Sequence, residues 1–215
     1  MKISLTIDNG PEPEVTPRVL DVLASRECPA TFFVLGSKIE SSTGRAMVER
    51  AFREGHRIGN HTFSHSFFFG QTEDQQEAIK EIDLTQSLLG DLGHERMFRP
   101  FGGDFPLADH VLSRSTYEHL RKNGFSCVLW NHIPRDWENP VGWPDTALGE
   151  VRINPWTVMV VHDLPTGAMD QLSSFIDRAR DVGAEFVREF PESVTPLLRG
   201  HECWDMRSRG LLSNR

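Results

Sequence analysis

Short apolar runs alternating with amphipathic stretches constrain this chain more than any other feature. Ile3 to Ile7 reads as a strand, and Thr16 to Arg26 follows as a helix with Val19, Leu20 and Leu23 on one face. Ala30 to Leu35 is a second strand, Arg45 to Glu54 a second helix, and Arg57 to Asn60 a short third strand. Glu73 to Leu89 carries Ile79, Ile82, Leu88 and Leu89 at roughly helical spacing and stops at Gly90, which suits a C-terminal cap. The pattern predicts a further helix over Leu107 to Asn123, strands over Phe125 to Trp130 and Thr157 to Val161, a helix over Gln171 to Val182 and a last strand at Ala184 to Val187. Alternation of this kind demands parallel strands wrapped by helices, as an open sheet or a barrel. With 215 residues the chain suffices for one domain with a sizeable core, which we place at 1–200, leaving the polar, Arg-rich residues 201–215 as a surface tail.

Charge narrows the partners. The excess of 31 Asp plus Glu over 23 Lys plus Arg gives a formal charge of -8, which repels phosphate backbones and anionic lipid, so neither nucleic acid nor a membrane is expected as a partner. Cys28, Cys127 and Cys203 are odd in number and widely spaced, which fits neither a disulfide framework nor a cysteine metal site and points to a reducing compartment. No apolar run approaches the length of a membrane span, and Ile3 to Ile7 follows Met1-Lys2 at once, so a cytoplasmic location is expected. Oligomeric state is not legible.

In folds of this class chemistry collects where strands end. Asp8-Asn9-Gly10 closes the first strand and His61-Thr62-Phe63-Ser64-His65 follows the third. Arg99-Pro100-Phe101-Gly102-Gly103 follows a short apolar step, Arg135-Asp136-Trp137 comes soon after the strand ending at Trp130, and His162-Asp163 ends the strand Thr157 to Val161. Each cluster has an ordinary explanation. Asp, Asn and Gly favour turns, an H-x-x-x-H pair arises by chance, Arg99 and Asp136 could form a surface ion pair, and His162 could simply be satisfied at a strand end. Their joint order, acid, two histidines, arginine, acid, histidine at successive strand ends, weighs against coincidence.

The same residues resemble the motifs of the polysaccharide deacetylase family, the NodB-like carbohydrate esterases. Thr6-Ile7-Asp8-Asn9-Gly10-Pro11 is similar to the family's T-F-D-D-G-P, and His61 to His65 meets H-[ST]-x-x-H in full. Phe98 to Gly103 resembles F-R-P-P-Y-G, Asp136-Trp137 the Asp-Trp motif, Val160-Val161-His162 the L-x-H motif, and Ala30 to Val34 the A-T-F-F-V strand. The resemblance spans Lys2 to Phe190 and implies a deformed (β/α) barrel of about seven parallel strands. It implies an enzyme that removes an acetyl group from an N-acetylated sugar or oligosaccharide. Asp8 would be the general base with Arg99 as its partner, His162 the proton donor and Asp136 the group that tunes it. It further implies a divalent metal, zinc first with cobalt or nickel as alternatives, on Asn9, His61 and His65. Trp137 and Val160 would line the acetyl pocket. Amide hydrolysis independently requires an activated water, a stabilised oxyanion and a proton for the amine, and a backbone N–H, that of Gly102, suits the second task.

Asn9 departs from the family pattern, where a second aspartate ligates the metal. An amide oxygen brings no negative charge, so weaker metal binding is expected. The same departure leaves room for two alternatives: a cytosolic amidohydrolase acting on a small non-carbohydrate amide or ureide without metal, or a catalytically impaired carbohydrate-binding homologue. Phe101-Gly102, Ile133 and Val160 are smaller departures that would reshape the groove. Among the aromatics only Trp137 has motif support, and Glu77, Lys80 and Glu81 read as the solvated face of a helix.

Overall fold

The computed structural model describes residues 1–103 and 106–214. In chain order the elements are β1 (Lys2–Asp8), α1 (Thr16–Ser25), β2 (Thr31–Val34), α2 (Gly36–Ile39), α3 (Ser42–Arg53), β3 (Arg57–Asn60), α4 (Gln75–Leu89), β4 (Met97–Phe98), β5 (Leu112–Ser113), α5 (Arg114–Lys122) and β6 (Ser126–Cys127). They continue as α6 (Trp143–Ile153), β7 (Trp156–His162), α7 (Leu172–Asp181), β8 (Glu185–Phe186), β9 (Leu197–Leu198), β10 (His201–Glu202) and β11 (Leu212–Ser213). These elements group into two compact units. The first comprises Met1–Val34, Lys38–Ile58 and Trp130–Pro191, and the second Leu35–Ser37, Gly59–Leu129 and the chain from Glu192 onward.

In the first unit β1 is the central strand. It pairs in parallel with β2, β7 and β8, and its register with β7 runs from Lys2 opposite Trp156 to Asp8 opposite His162. Six of its seven residues are buried, as expected of a strand covered on both faces. The helices present their apolar faces to this core: Val19, Leu20 and Leu23 of α1, Met47, Val48 and Ala51 of α3, and Leu172, Phe175, Ile176 and Ala179 of α7 are buried. At the head of α3, Ser41 accepts from the Gly44 N–H at 3.0 Å, satisfying a donor the helix leaves open. Helix α6 was not anticipated by the periodicity, although Pro144 in its first turn is a recognised start signal. Its Trp143 is fully buried and donates from Nε1 to Ala168 O at 2.8 Å, so this tryptophan is core.

In the second unit Asn60 pairs with Phe98, and Met97 and Phe98 pair with Ser126 and Cys127, all in parallel. An antiparallel continuation runs from Cys127 to Leu197 and from β9 to β10. The strand expected over Phe125 to Trp130 is therefore regular only at two residues. Asp74 caps α4 by accepting from the Glu77 N–H at 2.9 Å, and Gly90, at φ 53°, ends it. The helix expected from Leu107 begins only at Arg114, because Leu112–Ser113 pair as a strand and Ser113 Oγ caps the helix through the Thr116 N–H at 3.0 Å. Nor are residues 201–214 a loose tail: β10 pairs with β9, β11 pairs in parallel with β5, and Met206 and Leu211 are buried. The last residue of that stretch, Arg215, lies outside the described residues.

All three cysteines are free. Burial pushes the Cys28 and Cys127 thiols up to about 12 against the smaller opposing pull of Arg180 and Arg99 respectively, so both act as small apolar groups. No helix among the described residues is long and apolar enough to cross a membrane.

Candidate active site

In the first unit the ends of β1 and β7 set Asp8 and His162 side by side. They are register partners on neighbouring parallel strands, whose spacing of about 4.8 Å places both side chains on one face. Asp8 is 2% exposed. The loop after β6 brings Asp136, fully buried, onto His162 with both carboxylate oxygens. Oδ1 lies 2.9 Å from His162 Nδ1, and Oδ2 accepts the His162 backbone N–H at 3.0 Å. A carboxylate accepting at Nδ1 makes that nitrogen the N–H and leaves Nε2 to carry the mobile proton. Burial alone would lower the pKa of His162. The hydrogen bond and charge of Asp136, together with the charges of Asp8 and Asp163, outweigh burial and hold the imidazole above its ordinary value.

Trp137 stands edge-on to His162 with ring centroids 5.0 Å apart, and Arg135 lies over the indole at 5.7 Å. Val160 is buried two residues before His162, on the same side of β7, and its N–H donates to His132 O at 3.0 Å. Asn9 follows Asp8 at φ 72°, a left-handed conformation that Asn and Asp tolerate better than most side chains. Its Oδ1 is buried and has no hydrogen-bond partner among the described residues. Next to it, a Cβ on Gly10 would collide with the Asp163 carboxylate. Asp163, in sequence no more than the neighbour of His162, is completely buried. Its Oδ2 accepts from Thr16 Oγ1, and its Oδ1 has no hydrogen-bond partner among the described residues. Burial pushes this carboxyl up to about 6 despite the Thr16 hydroxyl and the Lys38 charge, which pull it down.

In the second unit the end of β3 delivers His61 and His65 with ring centroids 4.8 Å apart. His61 Nδ1 lies 2.9 Å from Arg99 O, the arrangement that makes Nδ1 the donor and Nε2 the unprotonated nitrogen. The Arg99 side chain is fully buried and donates from Nε to Val128 O at 3.1 Å and from Nη2 to Leu129 O at 3.3 Å. Phe101 stands between His65, at 4.1 Å, and Phe68, at 4.6 Å, and Phe68 meets His110 edge-on. His110 Nε2 lies 3.0 Å from Gly102 O, and Gly102 itself is buried.

Glu81 corrects an expectation. Far from lying on a solvated face, it is 7% exposed, and its Oε2 accepts from the Phe63 N–H at 3.1 Å, the Ser64 N–H at 2.6 Å and Ser64 Oγ at 2.9 Å. Glu77 and Lys80 are the exposed pair. Helical periodicity carried the signal, since position 81 falls on the same face as the buried Ala78, Ile82 and Thr85.

The resemblance implies a divalent cation, and the donors suit one. Among the described residues no three His, Cys, Asp or Glu side chains cluster as a metal set. Within the first unit the buried Asn9 Oδ1 is an oxygen donor of the kind a divalent cation accepts, and within the second the His61 tautomer set by Arg99 O is the one usual for metal-ligating imidazoles.

The polysaccharide deacetylase family model matches residues 1–127. A peptidoglycan-N-acetylglucosamine deacetylase of Bacillus cereus is 33% identical over 194 residues, covering 86% of this chain and 66% of that protein. A chitooligosaccharide deacetylase of Rhizobium leguminosarum bv. trifolii is 35% identical over 170 residues, covering 75% and 71%. In the two Bacillus cereus relatives the aligned part spans 61% and 66% of their length. Among solved structures, a family 4 acetyl xylan esterase from Clostridium thermocellum in complex with a cobalt ion superposes with a TM-score of 0.68 at 26% identity, covering 87% of each chain. That likeness carries the α/β class and the deformed (β/α) barrel. A family match over more than half its length, with a relative one-third identical along most of the rest, shows that this chain belongs to the polysaccharide deacetylase family.

Proposed function

We propose that the chain hydrolyses the amide C–N bond of an N-acetylated sugar or oligosaccharide, releasing acetate and a free amine. The observation that carries this reading is the side-by-side placement of Asp8 and His162 at the ends of β1 and β7, with Asp136 clamping the imidazole. Relatives named as deacetylases of peptidoglycan and chitooligosaccharides support the substrate class.

The residues divide the work as follows. Asp8, with Arg99 assigned as its partner by the family motif, takes a proton from the water that adds to the acetyl carbonyl. The Gly102 N–H serves the oxyanion, while Trp137 and Val160 flank the methyl group. His162, cationic on Asp136, gives its Nε2 proton to the nitrogen as the C–N bond breaks, so that the amine leaves neutral. Asn9, His61 and His65 would hold the divalent cation, whose chemistry when bound is to polarise the carbonyl and lower the pKa of the attacking water. Zinc or cobalt suits two imidazoles and one oxygen ligand.

Acetate release from chitooligosaccharides, measured with and without added zinc or cobalt, tests the proposal. Metal-stimulated release that disappears in Asp8→Ala and His61→Ala is the expected result. No acetate from the metal-saturated protein would overturn it. Asn9 makes a separate prediction. Asn9→Asp adds one negative charge at a backbone conformation that aspartate tolerates, so it should tighten zinc binding on the order of 10-fold in a calorimetric titration. Equal affinities would show that residue 9 is not a ligand.

A further inference from the structure

The turn that carries the two imidazoles is not a conformation its own residues favour. Thr62 and His65 lie at φ 74° and 61°, in the left-handed region that β-branched and bulky side chains rarely adopt. Something must hold it, and the hydrogen bonds show what does. Asn60 Oδ1 accepts the Thr62 N–H at 2.9 Å, and Thr62 Oγ1 accepts the His65 N–H at 3.0 Å. The two N–H groups between them, those of Phe63 and Ser64, both go to Glu81 Oε2, which also takes the Ser64 hydroxyl.

Glu81 comes from α4, far from the turn in sequence, and is buried. Its charge is met by these three donors, and among the described residues no lysine or arginine pairs with it. A buried carboxylate is costly unless donors converge on it, so both partners are bound to one geometry: helix α4 fixes Glu81, and Glu81 fixes the turn. The turn in turn sets the directions of His61 and His65.

We infer that Glu81 is a positioning residue for the imidazole pair, holding the turn 61–65 in the one conformation that presents both histidines to a single divalent cation. The inference rests on the proposed metal role of those histidines. Groups that orient metal ligands from behind typically change affinity 10- to 100-fold when removed.

The test uses cobalt alone as the probe, on the full chain. Glu81→Ala removes all three acceptances, whereas Glu81→Gln keeps an acceptor of the same shape and loses the charge. Cobalt affinity should fall roughly 10- to 100-fold in Glu81→Ala and less in Glu81→Gln, with a changed visible spectrum reporting altered ligand geometry. Deuterium uptake by the segment 61–66 should quicken in Glu81→Ala. A core substitution on the same helix, Ile82→Val, lowers Tm without touching those acceptances, and should leave both cobalt affinity and spectrum unchanged. If Glu81→Ala fails to fold, Glu81→Gln carries the test. Wild-type cobalt affinity and spectrum in folded Glu81 variants would overturn the inference. Should the unaltered protein bind no cobalt, the metal reading falls on its own. Deuterium uptake then decides whether Glu81 holds the turn, and unchanged uptake would overturn that too.

Discussion

Replacing His162 with alanine should lower kcat for acetate release roughly 10²- to 10⁴-fold, the usual worth of a positioned acid in the breaking of a bond to a poor leaving group. The more discriminating variant is Asp136→Asn. His162 acts as an acid only while protonated, so the rate is sustained below its pKa and lost as pH rises through it. Burial pushes that pKa down, and the hydrogen bond and charge of Asp136 are the larger part of what carries it back above the ordinary histidine value, with Asp8 and Asp163 adding to them. Asp136→Asn removes the charge and leaves burial opposed only by Asp8 and Asp163, so the alkaline limb of kcat/KM against pH should move to lower pH. An amide could also turn its NH₂ toward Nδ1 and impose the wrong tautomer, which would lower the plateau as well. An alkaline limb that stays in place would remove His162 from the role of acid.

Asp163→Asn should stabilise the protein, and only at the right pH. A carboxyl whose pKa rises from 3.8 in the unfolded chain to about 6 in the folded one binds its proton more tightly when folded. Below 3.8 the acid is neutral in both states and costs nothing. Between 3.8 and 6 the unfolded chain ionises first, and above 6 the folded protein holds a fully buried charge at a cost of about 3 kcal/mol. The asparagine keeps an oxygen for the Thr16 hydroxyl without the charge. At pH 7 its Tm should exceed that of the unaltered protein by on the order of 6–12 °C, and near pH 4 the difference should vanish. Thermal melts at the two pH values check this. An equal difference at both would mean that repacking, and not ionisation, sets the effect.

What was legible in the sequence is what neighbouring residues decide among themselves. Apolar periodicity located β1, α1, β3, α4, β7 and α7 to within a few residues, because a strand or helix face is a local property. Asp8, His61, Arg99 and His162 stand at or just beyond strand ends because each directly follows its strand in the chain, and Gly90 stops α4 because only its neighbours constrain it. Other features depend on which distant segment folds over a group. Helical spacing puts Glu81 on the inward face but does not tell that the turn at Phe63 and Ser64 meets its carboxylate, and Asp136 reads as a loop acid until His162 offers it an N–H and a ring nitrogen. Asp163 reads as a strand-end polar residue until Thr16 and Gly10 enclose it, and residues 201–214 as a tail until β5 and β9 give their strands partners. Local spacing therefore determined the kinds of groups and their order along the chain. The tertiary structure alone decided which charges are buried and what meets them, because burial and its electrostatic consequences arise from contacts between residues that the sequence keeps far apart.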